Sequence, residues 1–174
     1  MPYAPAALRN DWYTLVMSPN QQFLLQRVQP ALTGLIDGSL STIAPIFAVA
    51  IYTHNPHAAF IAGTATAIAA GISMAYSEGL SDTGELTGRG RPLVRGTITG
   101  LGTFIGGILH TLPFLIPHYH VALVVAGCVV GFELVALAWL RWRFFRTSFV
   151  SSLAYVTLAG VVIAGVAVGL GSSA

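Results

Sequence analysis

The sequence predicts an all-α membrane protein with five transmembrane helices, its N-terminus in the cytoplasm and its C-terminus outside. Three observations lead there. Of the 174 residues, 55% are apolar and only 8% are charged, a balance foreign to water-soluble domains of this length. Apolar stretches run over about 28–52, 57–80, 93–116, 119–140 and 149–171, each near the roughly 20 residues that cross hydrocarbon as a helix. All eight basic side chains are arginines. Arg9 and Arg27 precede span one, Arg89, Arg91 and Arg95 lie between spans two and three, and Arg141, Arg143 and Arg146 follow span four. They share one side of the topology, while 53–56, 116–118 and 171–174 on the other side hold none, which sets the orientation.

Residues 1–27 are expected to form a cytoplasmic or interfacial segment, and 28–174 the membrane domain. The first stretch carries Arg9, Asn10, Asp11 and Asn20 and lacks the apolar core and small-residue cleavage site of a signal peptide, so it is expected to stay. Within it, Trp12, Leu15, Val16, Phe23 and Leu24 stand among polar residues and suit a helix lying on the membrane or docking a partner. Trp139, Trp142, Phe144 and Phe145 crowd the end of span four, where rings favour the headgroup layer. A net charge of +2 and a pI near 9.0 come from the arginine side and fit contact with anionic lipid, with no nucleic-acid partner implied. The lone Cys128 inside span four excludes a disulfide framework and reads as core filler.

Span one contains Asp37, an acid inside an apolar run. A carboxylate at that depth costs roughly 2.5–3.5 kcal/mol on insertion scales and by default marks an ion path, a proton relay or an internal partner. Gly34 and Gly38 form a small-xxx-small pair beside it, which lets another backbone approach. Pro45 has no amide proton for the carbonyl of Ser41, and Ser41 lies one turn beyond Asp37. A freed carbonyl, a hydroxyl and a carboxylate near a broken helix are the groups from which membrane proteins build cation sites. The plainer alternative is an acid that only bonds across helices.

Span two has a stripe of Gly63, Ala67, Gly71, Ala75 and Gly79 at four-residue spacing, expected to pack closely on a neighbour. Beside it Met74 and Glu78 stand one turn apart, with Ser73 and Ser77 adjacent. With Asp37 they make a candidate metal set, Ser41, Ser73 and Ser77 being accessory oxygen donors. The competing readings are Met74 as core filler and Glu78 as partner of a loop arginine. Glu133 in span four is a further accessory candidate, a third intramembrane acid that relays protons or bonds across helices. His110, and His54, His57, His118 and His120 near the outer face, are candidate proton or metal stations, though such histidines are more often interfacial. No nucleophile elbow, phosphate-binding loop or structural-zinc spacing occurs, so no enzyme chemistry is expected.

The run from Gly34 to Thr42, with its Asp37-Gly38 pair followed by small polar residues, resembles the first-helix signature of the vacuolar iron transporter family. Ala69 to Glu78, with Ser73-Met74 and then Glu78, resembles its second-helix segment. The stretch Ser81 to Gly90 and His110-Thr111-Leu112-Pro113 is similar to the membrane half of bacterial membrane-bound ferritins, also called erythrin-vacuolar iron transporters. The resemblance covers roughly 28–171. It implies a homodimeric exchanger in a bacterial inner membrane that carries ferrous iron, and often manganese, out of the cytoplasm against protons. On it Asp37 and Met74 match the mid-membrane metal positions, Glu78 matches the acid after the Met, and a ferritin-like donor is the implied partner. The chain departs from the pattern in three places. Gln26 and Pro30 stand where many members carry acids, only the short 81–95 joins spans two and three in place of a metal-collecting insert, and 1–27 is too short for a ferritin-like domain.

The ligand chemistry agrees with that expectation, since carboxylate and carbonyl oxygens with a thioether suit Fe²⁺ or Mn²⁺ better than Mg²⁺. One chain offers few ligands, and a two-fold axis beside Asp37 and Met74 would present each twice. Such an acid holds a proton when the site is empty, so metal binding displaces it and proton exchange follows. A non-transporting module that docks a ferritin-like partner and a passive cation channel are the alternatives.

Overall fold

The computed structural model describes residues 18–81, 83–84 and 87–173, and among these residues it is helical with no strand. Among the described residues five helices are long and apolar enough to cross a membrane: Pro19–Thr53, Pro56–Ser81, Pro92–Leu109, Tyr119–Phe145 and Phe149–Ser173, here spans one to five. The part of the N-terminal segment before Ser18, including Trp12, Leu15 and Val16, lies outside the described residues.

Span one begins inside the segment expected to precede the membrane. Ser18 caps it, its hydroxyl accepting from the amide of Gln21 while the Gln21 side chain accepts from the Ser18 amide, and Pro19 takes a first-turn position where its missing N–H costs nothing. At 35 residues it is roughly 50 Å long, so its first turns extend beyond the roughly 30 Å hydrocarbon layer. It widens to a π turn over Leu24–Val28 and is interrupted at Thr42, between Gln29–Ser41 and Ile43–Thr53. Pro45 lacks the proton that would close the bond to Ser41, which favours a break at this place.

Span three is shorter than the apolar pattern suggests. It ends at Leu109, and a 3₁₀ turn, Leu112–Leu115, follows. Pro113 cannot donate to the Leu109 carbonyl and its ring would crowd it. The turn then folds inward: Phe114 is buried with Ile46, Ala50, Ala59, Ala122 and Ala126.

Span three is also the centre of the packing. Toward span one, a Cβ on Gly34 would overlap the Thr99 carbonyl and one on Gly38 the Thr103 carbonyl. Toward span two, a Cβ on Gly71 would lie 2.9 Å from the Gly100 carbonyl oxygen, and one on Gly107 3.0 Å from the Ala67 Cβ. The small-residue stripe of span two therefore packs as expected, and its partner is the glycine-rich helix next in sequence. The Gly34 and Gly38 pair meets the same helix of its own chain. Thr99 and Gly100, like Gly106 and Gly107, are consecutive residues that face different neighbours, a step of about 100° around a helix. Spans one and two are thus adjacent around span three.

The described arginines gather at one end. Gln26 donates to the Gly88 carbonyl across 3.1 Å, and Arg27 and Leu140 line one cleft while Gln29 and Arg141 line another. At the opposite end the rings of His54 and Tyr119 are 4.9 Å apart, and Gly171 rests on Ala48 and Ile51. Large apolar side chains such as Leu80, Leu93, Phe132 and Val150 are exposed along the outside, as a lipid-facing surface requires. Trp139 and Trp142 are each half exposed at the arginine end. Cys128 is exposed, so the expectation of a core-filling thiol is corrected: its helix turns that position outward.

Candidate functional site

Asp37 is only partly buried, and among the described residues its carboxylate has no hydrogen-bond or ion-pair partner. It lies roughly 15 Å along the helix from Arg27, so it sits deep in the span. Thr33 and Ser41, each four residues away on the same ridge, are exposed. These three side chains form a polar ridge about 100° around span one from the Gly34 and Gly38 contact, with Thr33 and Ser41 exposed and Asp37 partly so.

Span three serves as a depth scale for the rest. Gly38 lies against Thr103 and Ala75 against Gly100, so Asp37 and Met74, their chain neighbours, differ in depth by only about one turn, roughly 5 Å. Met74 is half buried. Asp37 and Met74 therefore stand at matching depth on adjacent helices.

Glu78 has a different setting. Its Oε1 accepts from Arg89 Nη2 at 2.7 Å and from Arg95 Nε at 2.9 Å. Arg95 is fully buried, and its Nη1 donates to the Gly90 carbonyl at 3.2 Å. A guanidinium cannot shed its charge, so a buried one must be paired, and Glu78 supplies the pairing while pinning the link between spans two and three. Of the two readings of this acid, partner of a loop arginine and metal ligand, the geometry realises the first. Gly79 lies against Gly96, which puts Glu78 about five residues of span three, or roughly 7.5 Å, from the level of Asp37.

Ser41, Ser73 and Ser77 are all exposed, and among the described residues no three His, Cys, Asp or Glu side chains form a group able to hold a metal. Of the candidate set, Asp37 and Met74 are the two that share a level on adjacent helices.

A second polar centre lies in the interior. The Thr42 hydroxyl donates to the Gly38 carbonyl at 2.7 Å, its oxygen lies 2.7 Å from His110 Nε2, and His110 Nδ1 lies 3.0 Å from Glu133 Oε2. Thr42 and His110 are fully enclosed and Glu133 is 6% exposed. Glu133 Oε1 is buried without a partner. Spans one, three and four meet here. The sequence marks Glu133 and His110 separately, shows no partner for Glu133 and gives Thr42 no role. The one available signal was two ionisable residues at depth on adjacent predicted spans.

Compared with family models, curated proteins and solved structures, the chain matches none.

Proposed function

We propose that the chain is a proton-coupled exporter of ferrous or manganous ions, working as a homodimer in a bacterial inner membrane with its arginine end in the cytoplasm. The observation that carries the reading is the partnerless carboxylate of Asp37 on a partly exposed polar ridge with Thr33 and Ser41. Facing lipid, such a ridge costs energy that a second copy removes by covering it, and a two-fold axis there doubles the oxygen donors. Met74, at matching depth on the adjacent helix, adds the softer donor that separates Fe²⁺ and Mn²⁺ from Mg²⁺. Glu78 serves as the anchor of the arginine cluster, and the ion-binding role rests on Asp37 and Met74. The resemblance of the Asp37-Gly38 and Ser73-Met74 segments to the vacuolar iron transporters supports the same reading.

Purified protein in sealed vesicles tests it. An exchanger accumulates Fe²⁺ or Mn²⁺ against its gradient only when a pH difference is imposed. Flux that follows voltage alone would make the protein a channel, and no flux would leave a docking module for a ferritin-like partner.

A further inference from the structure

The donors and acceptors of the interior centre can be counted. Thr42 has one hydroxyl proton, and it is given to the Gly38 carbonyl at 2.7 Å. The Thr42 oxygen must then accept from His110, so Nε2 carries a hydrogen. Nδ1 faces Glu133 Oε2 at 3.0 Å, and two acceptors cannot share that distance without a proton between them. The pair therefore holds one proton, as imidazolium with carboxylate or as imidazole with carboxylic acid, and both arrangements are neutral overall.

Losing that proton leaves one negative charge on a pair that is almost wholly enclosed, with Glu133 Oε1 already unpartnered. An isolated charge in that enclosure would be costly. Asp37 lies five residues before Thr42 on the same helix, roughly 7.5 Å along the axis and turned away by about 140°. The Gly38 carbonyl that accepts from Thr42 belongs to the residue next to Asp37. A divalent cation at Asp37 would oppose a shared proton at His110 and Glu133 by direct repulsion, and a returning proton would oppose the cation.

We propose that His110 and Glu133 form the proton-carrying site of the exchange, separate from the metal position and tied to it through Thr42 and Gly38. This rests on the exchanger reading above. Few other ionisable groups bear on it. Span one contributes Asp37, and span two has only Tyr76 between His57 and Glu78, with Tyr76 67% exposed. Span three has Arg95 at its far end, bound to Glu78. Span four has the exposed Cys128, with Tyr119 and His120 at its first turn and Arg141 and Arg143 at its other end, and span five has the exposed Tyr155.

The test is the ratio of Mn²⁺ flux with a pH gradient to flux without one, in sealed vesicles, for wild type, Glu133→Gln and His110→Gln. Glutamine at 133 can donate to Nδ1 and keep the contact, but it cannot exchange a proton. In either folded variant the ratio is expected to fall to unity. A structural cross-link alone would lower thermal stability and leave the ratio at the wild-type value, which overturns the proposal. Loss of all flux in a folded variant also overturns it, by putting these residues in the ion path itself. Should one variant fail to fold, the other decides. A wild type that moves no Mn²⁺ refutes the exchanger reading and this inference with it, whereas a gradient-driven wild type beside unaltered variants refutes the inference alone.

Discussion

Arg95 Nε and Glu78 Oε1 are 2.9 Å apart, with the arginine fully buried and the acid nearly so. The pair joins the end of span two to the first turn of span three, the two helices that pack most closely through small residues. Removing one partner of a buried pair strands the other charge.

Glu78→Gln should accordingly destabilise the protein by about 3–5 kcal/mol, read as a lowered unfolding midpoint in detergent. Arg89→Gln, which removes the more exposed guanidinium, should cost no more than about 1 kcal/mol. Equal losses would contradict the role given to Arg95.

The glycine contacts make a contrast within one protein. A Cβ at Gly38 would strike the backbone of Thr103, whereas Cβ atoms at Gly127 and Gly131 would meet nothing within 4 Å. Gly38→Ala is expected to destabilise by about 1–3 kcal/mol, while Gly127→Ala and Gly131→Ala stay within about 0.5 kcal/mol of wild type. Thermal unfolding of the three variants in one detergent measures this. A tolerated Gly38→Ala would show that spans one and three are not in backbone contact.

Much of the fold is legible in the sequence because lipid demands long apolar helices, and their lengths can be read directly. The small-residue stripe of span two was equally clear, since its four-residue period survives in any packing. Which helix meets it was not, because Gly34 and Gly38 advertise a close neighbour without naming it. Pro113 carried the signal that span three stops early, and the apolar run through 116 masked it. The site was legible in part. Asp37 stands out by its cost at that depth, but the Thr42, His110 and Glu133 contacts join residues 68 and 23 positions apart, and only the relative register of three helices brings them together. Glu78 shows the opposite difficulty: a metal ligand and an ion-pair partner look alike until Arg95 is seen buried against it.

Met74→Leu preserves volume and removes the sulfur, with a stability change expected below about 1.5 kcal/mol. If the thioether touches the transported ion, the ratio of Fe²⁺ to Mg²⁺ flux in vesicles should fall. An unchanged ratio would return Met74 to simple packing.

Asp37→Asn in sealed vesicles bears on the whole functional reading, because the substitution keeps size and hydrogen-bonding capacity while deleting the charge that would bind the metal. A folded variant with wild-type size in solution and no pH-driven Fe²⁺ or Mn²⁺ flux is the expected result. Wild-type flux from that variant would contradict the assignment of Asp37 as the residue that holds the transported metal.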